Sequence, residues 1–180
     1  MGSGSAPVHL DNFTDFQCPY CAQVHRVLIK LAQRYPTRVR LQHHDYPLES
    51  ACNRKITASY HTHSCRAAYF ARCAAQQGRF WDFASRVFDD QIALGHDDMI
   101  DHGRQLGLDL EALATCVTVP DTLQAVNDDV ELAIRRKVSG TPTTFVTVRG
   151  QVVETVVGSR TEEWWEKRVE QAIDQANAAR

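Results

Sequence analysis

No stretch of the 180 residues approaches the roughly 18 consecutive apolar residues that a membrane-spanning helix needs, which excludes such a span within this sequence. A surplus of charge is missing as well. Twenty lysines and arginines face 22 aspartates and glutamates, a formal net charge of -2. A chain so balanced has no basic field to gather nucleic acid and no polybasic anchor for a membrane surface. Internal repeats and low-complexity linkers are lacking too. The first residues carry neither a charged n-region nor an apolar h-region. M-G-S-G-S (1–5) reads as a cloning scar, so the missing leader says little about where the protein works. What remains is ordinary for a globular protein, 43% hydrophobic and 23% charged, and is long enough for one domain carrying a subdomain.

Cysteine is what the sequence does have: Cys18, Cys21, Cys52, Cys65, Cys73 and Cys116. An even number in a domain of this size is compatible with disulfides formed in an oxidising compartment. Two of the six stand close together, in F-Q-C-P-Y-C-A-Q-V (16–24), and the surrounding pattern places them. Val8, Leu10 and Phe13 predict a strand. Val24, Val27, Leu28, Leu31 and Tyr35, at three- and four-residue spacing, predict a helix that Pro36 closes. Pro19 fits its first turn, where the amide that proline lacks would be unpaired anyway. R-V-R-L-Q-H-H-D-Y (38–46) alternates as a second strand. The Cys pair therefore lies at the strand-to-helix junction of a βαβ unit.

The next strand signal follows Gly140. T-T-F-V-T-V (143–148), a turn at Arg149-Gly150 and V-V-E-T-V-V predict a hairpin. Thr161 is then an N-cap for a last helix, with Glu162 and Glu163 in its first turn and Trp164, Trp165, Val169 and Ile173 as its stripe. Residues 50–138 carry helix patterns at 64–77, 80–91, 97–106, 109–116 and 121–138, the last with Leu123, Val126, Val130 and Ile134 on one face. Residues 6–49 and 139–180 thus form an α/β domain, and 50–138 an all-helical insert folded back onto its sheet.

A thiolate is the nucleophile in disulfide exchange, so the chemistry turns on what ionises a cysteine. Cys18 is expected at the helix N-cap, where unpaired N–H groups and the positive end of the dipole favour its thiolate. Cys21, one turn in, is expected to be more buried and to resolve a mixed disulfide formed at Cys18. A bare C-x-x-C could equally hold zinc, but zinc needs two further ligands at matching spacing, and proline opening an amphipathic helix is not a zinc knuckle. A second feature points the same way. S-G-T-P-T-T-F (139–145) sets Pro142 before a strand, where it is either a permitted strand opener or the cis half of Thr141-Pro142, freeing the Thr141 backbone for an extended substrate.

F-T-D-F-Q-C-P-Y-C, a helical insert and G-T-P-T-T-F before a hairpin resemble the DsbA-like branch of the thioredoxin superfamily across nearly the whole chain. Q-Q-G-R-F-W (76–81) and L-G-L-D (106–109) resemble that branch's insert. Y-P-L-E-S-A-C-N (46–53) and H-S-C-R-A-A (63–68) are similar to thioredoxin-like domains fused to bacterial vitamin K epoxide reductase homologues. The resemblance implies a thioredoxin fold, with a central mixed sheet, flanking helices and a large helical insertion. It also implies an extracytoplasmic thiol–disulfide oxidoreductase that needs no cofactor, with Cys18 as nucleophile, Cys21 as resolving thiol and a cis-proline loop at Thr141 and Pro142. Pro19 and Tyr20 would tune the pair. Pro-Tyr between the cysteines also occurs in glutaredoxins, which are far smaller and lack the insert; the direction of electron flow stays open.

The remaining cysteines have a bland reading as buried thiols. In an oxidising compartment two structural disulfides are expected, with Cys52–Cys65 and Cys73–Cys116 favoured, although four cysteines allow three pairings. Cys52, His61, His63 and Cys65 have the residue types of a zinc site, but neighbouring loop histidines are usually just solvated, and no metal is assigned. His43 and His44 are left out of the catalytic set as half-buried strand residues; Phe80, Trp81 and Phe83 read as core. The expected partners are protein thiols and disulfides and a quinone-linked membrane oxidase such as an epoxide reductase homologue. Nucleic acid and direct membrane insertion are not expected. The alternative is a thioredoxin-like module that binds partners or zinc without turnover.

Overall fold

A computed structural model describes residues 1–178. The elements are β1 (Val8–Thr14), α1 (Pro19–Arg34), β2 (Val39–Asp45), α2 (Ser64–Gln76), α3 (Phe80–Asp89), α4 (His96–Gln105), α5 (Leu110–Cys116), α6 (Pro120–Arg135), β3 (Thr143–Val148), β4 (Gln151–Val157) and α7 (Glu162–Ala178). The sheet runs β2-β1-β3-β4. β1 and β2 are parallel, joined through α1, and the β3–β4 hairpin adds antiparallel to β1. This is a thioredoxin-like fold with five helices inserted between β2 and β3. The hairpin turn needs positive φ at both central residues, and Arg149 (48°) and Gly150 (84°) supply it.

The chain builds three apolar clusters, two of which meet at the head of α1, while the third packs Ala133 of α6 and Val138 on Phe13, Tyr46 and Phe145. Val24, Leu28 and Leu31 of α1 and Trp165 and Val169 of α7 cover one face of the sheet, against Val8, Leu10, Leu41 and Val146. Phe70, Phe83, Phe88, Met99 and Leu113 of the insert form the second core, and Phe16, Cys18, Cys21 and Ala22 belong to it. β1 alternates in burial only at its start because Phe13, on the face opposite Val8 and Leu10, is covered by Ala133 and Val138 in the third cluster.

Two helix faces differ from the sequence expectation. On α6, Thr122, Val126, Val130 and Ala133 are buried, while Leu123 is exposed. The Thr122 hydroxyl lies 3.3 Å from Cys116 Sγ and 3.9 Å from Cys73 Sγ, so the disulfide between those sulfurs sets the rotation of the helix. The helix stops at Arg135, not 138, because Lys137 turns left-handed (φ 59°) and Val138 N–H closes back onto Ala133 O at 2.9 Å, a Schellman-type end. On α7 the buried row is Trp165, Val169, Ala172 and Ala176, with Trp164 half-exposed. Its start is as expected, with Thr161 Oγ1 accepting from Trp164 N at 3.2 Å.

Disulfides join Cys52 to Cys65 and Cys73 to Cys116, at sequence separations of 13 and 43. The chain-entropy relation makes these worth about 3 and about 4 kcal/mol. The double variant Cys73→Ala/Cys116→Ala is accordingly expected to lose more stability than Cys52→Ala/Cys65→Ala. Urea denaturation of the two variants beside the parent chain checks the order.

Candidate functional site

Cys18 occupies the N-cap of α1, with extended backbone (φ -77°, ψ 119°), and Pro19 opens the helix. No side chain caps the helix, so its first amides are left to the cysteine. The Cys18 carbonyl accepts from Cys21 N at 3.0 Å and Ala22 N at 3.3 Å. Both thiols are free; Cys18 retains 5% of its surface and Cys21 none. Tyr20 stands 57% exposed beside them. Across the cleft the Thr141–Pro142 peptide bond is cis, and the Cys18 thiol faces Thr141 O at 3.6 Å. Three stretches far apart in sequence thus converge around Cys18: the β1–α1 turn running into the first turn of α1, the loop before β3, and a third supplied by the insert. There Gln91 Nε2 donates to Phe16 O at 2.7 Å and to Cys18 O at 3.0 Å, pinning the turn that carries the cysteine.

The two sulfurs have opposite electrostatics. Hydrogen bonding from the Cys21 thiol, joined by the backbone N–H groups of Cys21 and Tyr20 and by Thr141, outweighs burial and holds the Cys18 thiol down at about 6. Burial pushes Cys21 well above the ordinary thiol range, and the adjacent Cys18 charge adds to the shift. At neutral pH the pair therefore holds one thiolate, on the more accessible sulfur. Two buried hydroxyls, Thr141 Oγ1 beside Cys18 and Thr14 Oγ1 beside Cys21, have no protein partner other than those sulfurs.

The other sequence-predicted residues fall outside this cluster. Cys73 and Cys116 lie within the insert core. Cys52 and Cys65 are bonded to each other, which withdraws both from a zinc site. Of the histidines in that rival site, His61 pairs with Asp15 and His63 with Arg66. His43 bonds Asp45 at 2.9 Å and stacks on Phe16, while His44 bonds Asp129. Asp15, Gln17, His61 and Gln91 are site residues that the sequence reading missed. Asp15 and Gln17 lie inside the quoted motif, so adjacency could have flagged them. His61 and Gln91 come from loops of the insert and give no local signal.

Residues 9–170 match the DSBA-like thioredoxin domain family. Among solved structures, alpha-DsbA1 of Wolbachia pipientis superposes with a TM-score of 0.81 at 16% identity, over 99% of this chain and 92% of that one. A thioredoxin-like oxidoreductase from Silicibacter pomeroyi gives 0.79 at 23% identity, over 100% and 92%. At these identities the likeness is one of fold. A protein named Na+/H+ antiporter NhaA 3, from Salinispora tropica, is 32% identical over 148 residues, 82% of this chain. The chain spans about a fifth of the length of the curated relatives that it matches.

Proposed function

The chain belongs to the DSBA-like thioredoxin domain family of thiol–disulfide oxidoreductases, and from that premise we propose that it oxidises protein thiols through Cys18 and Cys21. A substrate thiolate attacks Cys18 Sγ of the oxidised pair. The Cys18–Cys21 bond breaks, Cys21 leaves with the electron pair, and a mixed disulfide joins substrate to Cys18. A second substrate thiolate attacks its partner sulfur in that bond and expels the Cys18 thiolate. The substrate loses two electrons and two protons; the pair gains both electrons. Thr141, ahead of cis Pro142, offers its backbone to an extended substrate beside the reacting sulfur.

The observation that carries the oxidising direction is the stabilised Cys18 thiolate at the N-cap. A good leaving thiolate belongs to the reduced state, and whatever stabilises the reduced state makes the disulfide a stronger oxidant. Pro19 and Tyr20 set how strong, since they fill the first turn between the sulfurs. The two disulfides of the helical part support an extracytoplasmic site, where such bonds persist. The reduced pair then needs reoxidation by a membrane redox protein that passes electrons to quinone, and an epoxide reductase homologue fits that role.

Two assays test this reading. Incubation with reduced, unfolded ribonuclease should restore native disulfides in a Cys18-dependent manner, faster than the same protein reduces insulin. Equilibration with glutathione should place the pair nearer DsbA, about -120 mV, than thioredoxin, about -270 mV. A potential at the thioredoxin end would overturn the oxidising direction.

A further inference from the structure

Directly under the redox turn lies an aspartate–histidine contact that this chemistry does not use. Asp15 follows β1, and its side chain is wholly buried. Its Oδ1 accepts from Gln17 N at 2.7 Å. Its Oδ2 accepts from Leu48 N at 2.5 Å and pairs with His61 Nδ1 at 2.9 Å. Through its backbone the same residue touches both cysteines. Asp15 O accepts from Cys18 N at 3.1 Å, and Asp15 N–H points at Cys21 Sγ at 3.5 Å. A carboxylate so placed opposes any thiolate formed above it, and burial magnifies the opposition.

His61 is held on that carboxylate from several sides. Gln17 Oε1, from the redox turn, accepts from Thr62 N at 3.0 Å and His63 N at 2.6 Å. The Cys52–Cys65 disulfide closes the segment from which His61 projects, so the imidazole cannot drift far from Asp15. The groups that face it are Asp15 from the β1–α1 turn, Cys18 from the head of α1 and Glu49 from its own segment. The Asp15 hydrogen bond, against burial, raises the imidazole's pKa above its ordinary value, and the charges of Asp15, Cys18 and Glu49 act in the same direction.

We propose that His61 is a positioning residue of the redox pair. Clamped on Asp15 as an imidazolium, it cancels the buried carboxylate and stabilises the Cys18 thiolate, which makes the Cys18–Cys21 disulfide more oxidising. The inference rests on the proposed exchange at Cys18. It adds a residue outside the C-x-x-C motif and the cis-proline loop, and it gives the Cys52–Cys65 segment a share in setting the potential.

The test compares the full chain with His61→Gln and His61→Lys by glutathione equilibrium and by thiolate absorbance against pH. His61→Gln should move the equilibrium about tenfold toward the disulfide, which for a two-electron couple is about 30 mV more reducing. It should also raise the Cys18 titration midpoint by roughly one unit. His61→Lys, which keeps a cation on Asp15, should restore both. A structural role alone would move both variants alike, and that outcome overturns the proposal, as does a His61→Gln chain with the parent's potential and midpoint. His61 retains 21% side-chain exposure, so substitution there opens no deep cavity. A measurement without variants stands beside these: NMR titration of the parent should find His61 still protonated where Cys18 ionises, and a neutral imidazole at that pH overturns the proposal. A parent chain that exchanges no disulfides at all would instead sink the function on which the inference rests.

Discussion

Alanine at Cys18 is expected to reduce disulfide exchange with protein substrates to the uncatalysed rate, whereas alanine at Cys21 is expected to yield a chain that captures disulfide-bearing substrates. Its Cys18 thiolate attacks the substrate disulfide and expels one substrate thiolate, and there is no Cys21 to resolve the adduct. The asymmetry follows from position. Cys18 is the sulfur with remaining surface, at the N-cap and facing the Thr141 carbonyl, and its thiol is held at about 6. Cys21 is fully buried with a raised pKa, so it cannot meet a substrate first; it leaves when the oxidised pair is attacked at Cys18 and, when reduced, attacks a bond already made there. Non-reducing electrophoresis of Cys21→Ala should show covalent adducts that dithiothreitol dissolves, and Cys18→Ala should show none. Adducts in equal amount from the two variants would refute the assignment. The trap also carries a pH signature. The hydrogen bond from the Cys21 thiol does most to hold Cys18 down, so its removal lets the Cys18 pKa climb from about 6 toward the ordinary thiol value near 8.5. Capture by Cys21→Ala should accordingly rise with pH through a midpoint well above 6.

Much of this could be read from the residues alone, and the parts that could not have a common cause. Elements with strong periodicity, such as α1 with its proline start and Pro36 stop, appear within a residue or two of the expectation. The Cys18 N-cap followed from Pro19, because a proline in the first helical turn marks the residue before it. Helix rotation was less legible. Thr122 takes the buried place expected of Leu123 because its hydroxyl sits against the disulfide that Cys73, 49 residues away, forms with Cys116; periodicity weighs only side-chain type. The support of the site was least legible. His61 lies 46 residues from Asp15 and Gln91 lies 73 from Cys18, and both come from irregular segments without a pattern. A motif names the reacting atoms; the groups that fix their charge arrive by tertiary folding.

The insert is also locked to the sheet by charge, and breaking that lock at Arg72 is expected to cost about 3–5 kcal/mol, the range for leaving a buried charge without its partner. Arg72 of α2 donates to Asp45 Oδ2 at 2.6 Å, at the end of β2, and also to Asp129 of α6. Asp129 in turn accepts from Asp45 N at 2.9 Å and bonds His44 Nδ1 at 2.8 Å. One guanidinium therefore holds α2, α6 and β2 together. Burial would push the Asp45 carboxyl up, but Arg72 and His43 overcome it and hold it at about 2. An unfolded aspartate titrates near 3.9, so the stability drawn from Asp45 is fully present above that value and is lost as pH falls through about 2. His44 contributes with the opposite sign. Burial would lower it, but its hydrogen bonds to Asp11 and Asp129 prevail and raise it to about 9, so its share is complete below about 6.5 and disappears as pH rises through about 9. In Arg72→Met the apolar stem is kept and the charge is gone, so Asp45 and Asp129 face each other with only the histidines to offset them. The deficit relative to the parent should be largest near neutrality and should shrink on acidification below about pH 4, where the variant can protonate Asp45, which the parent keeps ionised. Urea denaturation of both chains at about pH 7 and about pH 3 measures this. A deficit that does not change with pH would mean that Arg72 acts through packing and not through the charges it bridges.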